Sequence, residues 1–164
     1  MGESVPMKEE QKADDSVATV LVVDDNKQNL ELLLAYLEDV DCRTVAASSG
    51  PEAIDIVEQA PPDLILLDVM MPKMSGFEVC KRLKNDAKTA DIPIIMVTAL
   101  NELGDIERAI NCGTDDFLSK PVNKWELVTR VRTMLKLKHL TDKLERTLAY
   151  LSEVESQVQP RRAE

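Results

Sequence analysis

Short apolar runs alternate with longer amphipathic stretches from residue 19 onward, and this alternation predicts the fold class. The apolar runs span residues 19–23, 43–46, 64–67, 94–98 and 117–119. The amphipathic stretches span residues 26–39, 51–59, 76–85 and 103–112, and a last one begins at Lys124. Asn26 is predicted to cap the first of these helices, whose apolar stripe consists of Leu30, Leu33, Leu34 and Leu37. Strands that alternate with helices form parallel sheets joined by right-handed crossovers. The pattern therefore predicts an α/β protein with five parallel strands.

Three of these runs are apolar at every position, which predicts their place in the sheet. Residues 20–23, 64–67 and 94–97 show no alternation of apolar and polar side chains. Such runs are typical of strands that helices cover on both faces. The runs at 43–46 and 117–119 are less apolar, so we expect these two strands at or near the edges.

The last helix is predicted to extend well beyond the sheet, because neither proline nor glycine interrupts it before Pro160. From Leu137 a spacing of three and four residues connects seven positions, six of them apolar: Leu137, Leu140, Leu144, Thr147, Leu151, Val154 and Val158. A lone helix would expose this stripe, so the pattern predicts a coiled coil that forms a parallel homodimer. The alternative is that the segment folds back or frays.

Composition and charge narrow the function classes. The chain has 164 residues and a net charge of -10, and residues 19–122 contain nineteen acids against nine bases. Such a surface repels a phosphate backbone, and an aromatic content of 3% offers few side chains for base stacking. We therefore expect no direct nucleic-acid binding.

The ends of the chain suggest its organisation and location. Residues 1–18 are polar and lack apolar periodicity, which predicts a disordered tail. Residues 19–135 would form the domain, and residues 136–164 a helical extension that ends near Pro160. No apolar run is long enough to span a membrane, and no signal peptide is evident, so we expect a cytoplasmic protein without a membrane partner. The three cysteines are widely separated and are predicted to be free thiols.

Residues suited to phosphate and metal chemistry follow four of the predicted strands. Asp24 and Asp25 follow the first strand, Asp68 the third, Thr98 ends the fourth, and Lys120 follows the fifth. Parallel strands place their carboxyl ends at one edge of the sheet, where open α/β sheets bind ligands. Clustered carboxylates repel one another unless a cation neutralises them. Magnesium, with manganese as an alternative, suits such oxygen ligands next to a phosphoryl group.

The residues around these positions resemble the receiver domain of bacterial two-component response regulators. The resemblance is carried, in this order, by the strings VLVVDDN, LILLDVMMPKMSGFEVCKRLK, IIMVTAL and GTDDFLSKP. It covers residues 19 to about 135 and is similar to receivers that precede diguanylate cyclase or related output domains. It implies a flavodoxin-like, doubly wound, five-stranded parallel sheet of order 2-1-3-4-5 with an extended C-terminal helix.

The resemblance also implies roles for the acidic residues. Asp68 would be the phosphoacceptor, and a sensor histidine kinase or a phosphotransfer protein would be the phosphoryl donor. Asp24 and Asp25 would hold Mg²⁺ together with Asp68, and the main-chain carbonyl of Met70 would supply a further ligand. Phosphoryl transfer of this kind depends on in-line positioning and charge neutralisation.

Three further residues acquire roles from the same resemblance. Lys120, ahead of a cis peptide bond to Pro121, would contact one phosphoryl oxygen, and the hydroxyl of Thr98 would contact another. Phe117 would be the switch aromatic that rotates into the space vacated when Thr98 moves inward. The two charges added by phosphorylation would drive this change.

Two loop positions carry more local predictions. Gly76, in the loop after Asp68, is expected to need a backbone conformation closed to other residues. Leu100 is apolar where many receivers are polar, which suggests slow self-dephosphorylation. An unchanged phosphoryl lifetime in Leu100→Glu would contradict that hypothesis.

Alternative functions also follow from these residues. The chain is predicted to be a phosphorylation-dependent switch with at most slow self-modification and not an enzyme. It could instead be the receiver part of a protein whose output domain is catalytic, such as a diguanylate cyclase. A flavodoxin-like electron carrier is disfavoured because Asp24 and Asp25 would repel the FMN phosphate. An aspartyl-phosphate phosphohydrolase would carry a second acid just after the nucleophile, where this chain has Val69 and Met70.

Overall fold

Five strands and five helices alternate along the chain. The computed structural model describes residues 17–99 and 103–158, apart from the side chain of Leu103. The strands are β1 (Ala18–Val23), β2 (Cys42–Ala47), β3 (Leu64–Asp68), β4 (Ile94–Thr98) and β5 (Asp116–Ser119). The helices are α1 (Lys27–Leu37), α2 (Gly50–Gln59), α3 (Gly76–Asn85), α4 (Leu103–Asn111) and α5 (Lys124–Val158). Every predicted element is present within two residues of its predicted limits. Residues 1–16 of the predicted tail, Leu100 and Pro160 lie outside the described residues.

The five strands form one parallel sheet of order β2-β1-β3-β4-β5, which confirms the predicted topology. The three fully apolar strands occupy its centre, and every residue of β3 and β4 is buried. The two less apolar strands lie at the edges. In these three strands, an apolar residue at every position thus correctly indicated burial on both faces of the sheet.

Alternate residues of the central strands point into two separate cores. One core lies between the sheet and α2, α3 and α4, and it contains Leu21, Ile65 and Met96. The other lies between the sheet and helices α1 and α5, and it contains Val22, Leu66 and Ile95. Because helices cover both faces, side chains can reach the ends of the central strands only from the loops there.

Side-chain oxygens satisfy the free amide groups at the starts of three helices. Asn26, predicted as a cap, accepts a hydrogen bond of 3.1 Å from the amide of Asn29 at the start of α1. Ser49 and Ser75 accept bonds of 3.3 Å at the starts of α2 and α3. Such caps are worth about 1 kcal/mol each and fix where a helix begins.

A half-buried lysine connects the loops at the amino-terminal end of the sheet. Nζ of Lys84 donates to the carbonyl oxygens of Ala90 and Ile92 at 3.1 and 2.7 Å, and to Oδ2 of Asp115 at 2.8 Å. The same Asp115 oxygen accepts a hydrogen bond of 2.8 Å from the amide of Ile94. The negative charge of Asp115 is therefore neutralised by Lys84 within the domain.

The first half of α5 packs against the domain. Leu127, Val128 and Val131 are buried beneath it. Lys124 forms an ion pair of 2.7 Å with Asp39, and Arg132 donates to the carbonyl of Asp39 at 2.6 Å. These contacts fix the direction in which the rest of the helix leaves the domain.

The second half of α5 continues as helix to Val158 with its apolar stripe uncovered. Leu137, Leu144 and Leu151 are 54%, 59% and 49% exposed, and all side chains of residues 143–158 are exposed. The helix therefore does not fold back onto the domain. None of the described helices is both long and apolar enough to cross a membrane.

Candidate functional site

The ends of the strands bring the predicted site residues to one edge of the sheet. Asp24 directly follows β1, Asp68 is the last residue of β3, and Lys120 directly follows β5. Asp68 lies beside Val97 of β4, and Thr98 lies beside Ser119 of β5. Residues separated by up to 96 positions in sequence thus share one site.

The lysine bridges two of the carboxylates. Nζ of Lys120 lies 3.1 Å from Oδ2 of Asp24 and 3.4 Å from Oδ1 of Asp68. Carboxylate oxygens of Asp24, Asp25 and Asp68 all lie within 4.8 Å of one another. Asp24 and Asp68 are buried, whereas Asp25 is exposed. One ammonium group therefore faces three carboxylates, which leaves the cluster with excess negative charge.

This imbalance changes the acidity of Asp68. Burial, and secondly the charge of Asp24, raise the pKa of Asp68 to about 6, although Lys120 and the amide of Met70 oppose the shift. The Met70 amide donates to Oδ1 of Asp68 at 3.3 Å. A divalent cation would replace the missing positive charge, and hard cations prefer such all-oxygen ligand sets. The donor set therefore fits Mg²⁺.

The loop after Asp68 departs from the prediction at Gly76. That prediction was wrong, because among the described residues only Gly113 and Lys73 have positive φ, at 88° and 68°. What Gly76 provides is space. A Cβ atom there would lie 2.2 Å from the carbonyl oxygen of Asp68 and 2.8 Å from Cα of Val69. The glycine lets the start of α3 pass directly over the backbone of the phosphoacceptor candidate.

The remaining predicted residues lie around the same edge. Thr98 is fully buried, and its carbonyl oxygen accepts a hydrogen bond of 2.8 Å from the amide of Lys120. The peptide bond between Lys120 and Pro121 is cis. Phe117 is half-buried against the core under α2, α3 and α4, beside Met96 of β4. The side chain of Met70 is 65% exposed, so only its main chain faces Asp68.

Comparison with protein families agrees with this arrangement. The family model described as "Response regulator receiver domain" matches residues 20–132, which is more than half of the chain. The chain belongs to the response regulator receiver family. This family is regulatory, and its members bind Mg²⁺ in an acidic pocket and interact with histidine kinases or phosphotransfer proteins.

The chain matches only part of the length of each of two curated relatives. It is 42% identical to the response regulator PleD of Caulobacter vibrioides over 77% of the chain and 28% of PleD. It is 43% identical to the heme response regulator HssR of Staphylococcus saprophyticus over 73% of the chain and 52% of HssR. The chain thus spans about a quarter of one relative and half of the other.

Solved structures resemble the receiver over most of both chains. The signal receiver domain of a signal transduction histidine kinase from Syntrophus aciditrophicus superposes with a TM-score of 0.70 at 34% identity, covering 73% of this chain and 91% of the other. The chemotaxis protein CheY4 of Vibrio cholerae superposes with a TM-score of 0.68 at 29% identity, covering 72% and 98%. The doubly wound fold is therefore shared.

Sequence reasoning did not find a groove that adjoins the acidic cluster of the receiver. This groove of about 470 Å³ lies between α1 and the chain that follows β5. It is lined by Asn29, Leu32, Leu33, Tyr36, Lys120, Pro121 and Val122. Leu32, 46% exposed, lies off the apolar stripe of α1. The sequence signal that could have indicated this groove was Leu32, an isolated leucine outside the apolar stripe of α1.

Proposed function

We propose that this receiver is a phosphorylation-dependent signalling switch in which Asp68 accepts a phosphoryl group from a histidine of a sensor kinase or phosphotransfer protein. The observation that carries the proposal is the pairing of Lys120 with Asp68 and Asp24 at the end of the sheet. A buried carboxylate beside one ammonium group and further carboxylates suits phosphoryl transfer, which depends on positioning and charge neutralisation.

The chemistry assigns one task to each group. A carboxylate oxygen of Asp68 forms a bond to phosphorus as the bond between phosphorus and the donor imidazole nitrogen breaks, and that nitrogen keeps the electron pair. Nζ of Lys120 and the hydroxyl of Thr98 would then hold phosphoryl oxygens. Asp24, Asp25, Asp68 and the Met70 carbonyl would hold Mg²⁺, which supplies neutralisation of the negative charge when bound.

The groove beside Lys120 is the proposed docking surface for the phosphoryl donor. It opens next to the side chain that reaches Asp68, and half-exposed Leu32 gives it an apolar wall. A helix that carries phosphohistidine could pack against α1 there and present its imidazole to Asp68. An apolar groove with polar residues at its edge is typical of a protein contact.

The output side of the proposal concerns Phe117 and α5. Inward movement of Thr98 on phosphorylation would free space for Phe117, and β5 would pass the change to α5. We further propose that residues 19–135 act as the receiver and residues 136–164 as a dimerising extension. Regulation of a catalytic output domain stays a prediction.

Modification of Asp68 is the direct test. Treating the protein with a small acyl phosphate and Mg²⁺ is expected to add the mass of one phosphoryl group, measured by intact-protein mass spectrometry. Asp68→Asn should gain none, whereas Asp63→Asn, at the opposite end of the sheet, should react like the parent. An unmodified parent protein, or equal modification of Asp68→Asn, would contradict the proposal.

The proposed dimer forms along the exposed stripe of α5. Leu137, Leu144 and Leu151 repeat every seven residues, and in a parallel two-stranded coil each faces its own copy in the partner. Burying these leucines stabilises the pair by about 2 kcal/mol per side chain. The stripe would otherwise stay in water.

Cysteine crosslinking tests both the dimer and its orientation. In a Cys42→Ser background, Leu144→Cys is expected to form an intermolecular disulfide with itself under mild oxidation, read on a non-reducing gel. An antiparallel pair, in which a positions face d positions, would instead crosslink when Leu144→Cys and Val154→Cys proteins are mixed. Absence of both products would contradict dimerisation through this helix.

A further inference from the structure

A second groove lies where α5 leaves the domain, at the end of the sheet opposite Asp68. It has a volume of about 240 Å³ and separates α5 from the loops that precede β4 and β5. Pro93, Met134 and Leu137 give it an apolar lining, and Asp91 and Glu145 give it an acidic rim. Leu137 also begins the exposed stripe, so the groove is continuous with the proposed dimer surface.

The two rim acids differ from the other carboxylates of this groove. Asp142 forms an ion pair of 2.8 Å with Lys138, and Asp115 forms one of 2.8 Å with Lys84. Within residues 17–99 and 103–158, neither Asp91 nor Glu145 forms an ion pair. Both are exposed. Lys138 also lines the groove but is paired with Asp142, so among the described residues the two rim acids are left without an ion pair.

The heptad positions of α5 show which cation can reach them. With Leu137 and Leu144 at a positions, Lys136 and Lys143 occupy g positions and Thr141 occupies an e position. In a parallel coiled coil, the g residue of one helix faces the e residue five positions later in the other. The partner's Lys136 therefore faces Thr141, which lines the same groove.

We propose that the partner's Lys136 enters this groove and pairs with Asp91 and Glu145, an inference that rests on the parallel dimer proposed above. Its aliphatic stem would pack on Met134 and Leu137 while its ammonium group reaches the rim. By two-fold symmetry, each dimer has two such contacts. The coiled coil is thereby fixed to both domains at the point where it begins.

Charge along α5 explains why the parallel dimer needs this contact. Residues 136–146 contain four bases and two acids, whereas residues 147–158 contain two acids and no base. Parallel pairing brings the two basic halves together, which costs free energy through repulsion, whereas antiparallel pairing would join opposite charges. The acidic rim supplies the compensating charge only when the helices are parallel, because only then does Lys136 lie next to the groove of the other copy.

A charge reversal measures the contact. Sedimentation equilibrium of the full chain at low salt is expected to give Lys136→Glu a dimer dissociation constant about ten-fold above that of the parent, since two attractive pairs become repulsive. Lys81→Glu, an equal charge change at an exposed position of α3, should stay within about two-fold. The ten-fold difference should shrink as salt rises.

A rescue variant tests whether the weaker dimerisation of Lys136→Glu depends on the acids of the groove. Combining Lys136→Glu with Asp91→Lys and Glu145→Lys is expected to restore dimerisation to near the parent value. If Lys136→Glu matches Lys81→Glu, or the triple variant dimerises no better than Lys136→Glu, the inference is overturned. An antiparallel crosslink overturns it as well. A parent protein that stays monomeric would instead refute the proposed dimer itself.

Discussion

Gly76→Ala is expected to destabilise the protein by about 3 kcal/mol and to prevent phosphoryl acceptance at Asp68. The added Cβ would lie 2.2 Å from the carbonyl oxygen of Asp68 and 2.8 Å from Cα of Val69. Both neighbours are backbone atoms, so no side chain can move aside to relieve the contact. The loop must shift, and Asp68 shifts with it away from Asp24 and Lys120.

Urea unfolding and acyl-phosphate labelling measure the two effects. Gly104→Ala is the matched control, because the described residues place no atom within 4 Å of a Cβ at that position. Gly104 lies in α4, where alanine should stabilise by about 0.5–1 kcal/mol. If Gly76→Ala unfolds at the urea concentration of the parent and still labels normally, close approach is not the role of this glycine.

Local patterns were enough to predict five parallel strands and the helices between them, whereas the order of the strands came from the family resemblance. Continuous apolar runs distinguished the three central strands, because burial on both faces leaves no polar position. Asn26 marked the start of α1 because a cap acts within one helical turn. The stripe from Leu137 to Val158 was readable for the same reason, since heptad spacing is a property of one helix.

Features that depend on contacts between distant segments were not readable in the same way. Nothing near Gly76 in sequence shows that the backbone of Asp68 will pass within van der Waals distance. The 3.1 Å contact of Lys120 with Asp24 spans 96 residues, and the resemblance had directed that lysine only toward a phosphoryl oxygen. The groove beside Leu32 exists because α1 and the chain after β5 meet there.

The acidic cluster and the exposed apolar stripe of α5 lie at opposite ends of the domain, and α5 connects them. It begins at Lys124, four residues after Lys120. Nη1 of Arg130 donates to both carboxylate oxygens of Asp116, at 2.6 and 2.7 Å, and so connects α5 to β5. Movement of β5 at the acidic cluster would therefore tilt α5. A small change of tilt becomes a larger displacement along a helix of 35 residues.

Removing the negative charge of Asp68 and removing the positive charge of Lys120 should change the free energy of unfolding in opposite directions. Without metal, Asp68→Asn is expected to stabilise the protein at pH 7 by about 2 kcal/mol, because it removes a buried charge beside Asp24. Lys120→Met is expected to destabilise it by about 2 kcal/mol, because two buried carboxylates lose their counter-charge. The lysine side chain is 22% exposed, so solvent screening makes this loss smaller than that of a fully buried pair.

The sign of the Asp68 effect follows from its pKa, which the fold raises from 3.8 to about 6. Ionisation is harder in the folded state, so the carboxylate costs stability that accumulates as pH rises from about 4 to 6. The advantage of Asp68→Asn should therefore disappear below pH 4, where Asp68 is neutral in both states. Thermal unfolding in a chelator, at pH values from 3 to 7, measures the stability difference between Asp68→Asn and the parent. Lys27→Met, whose side chain is 89% exposed, is the control that should leave stability unchanged.

Added Mg²⁺ should stabilise Lys120→Met more than the parent, because the cation replaces the missing ammonium group. Equal shifts in both proteins would show that the carboxylates do not act as one charged cluster.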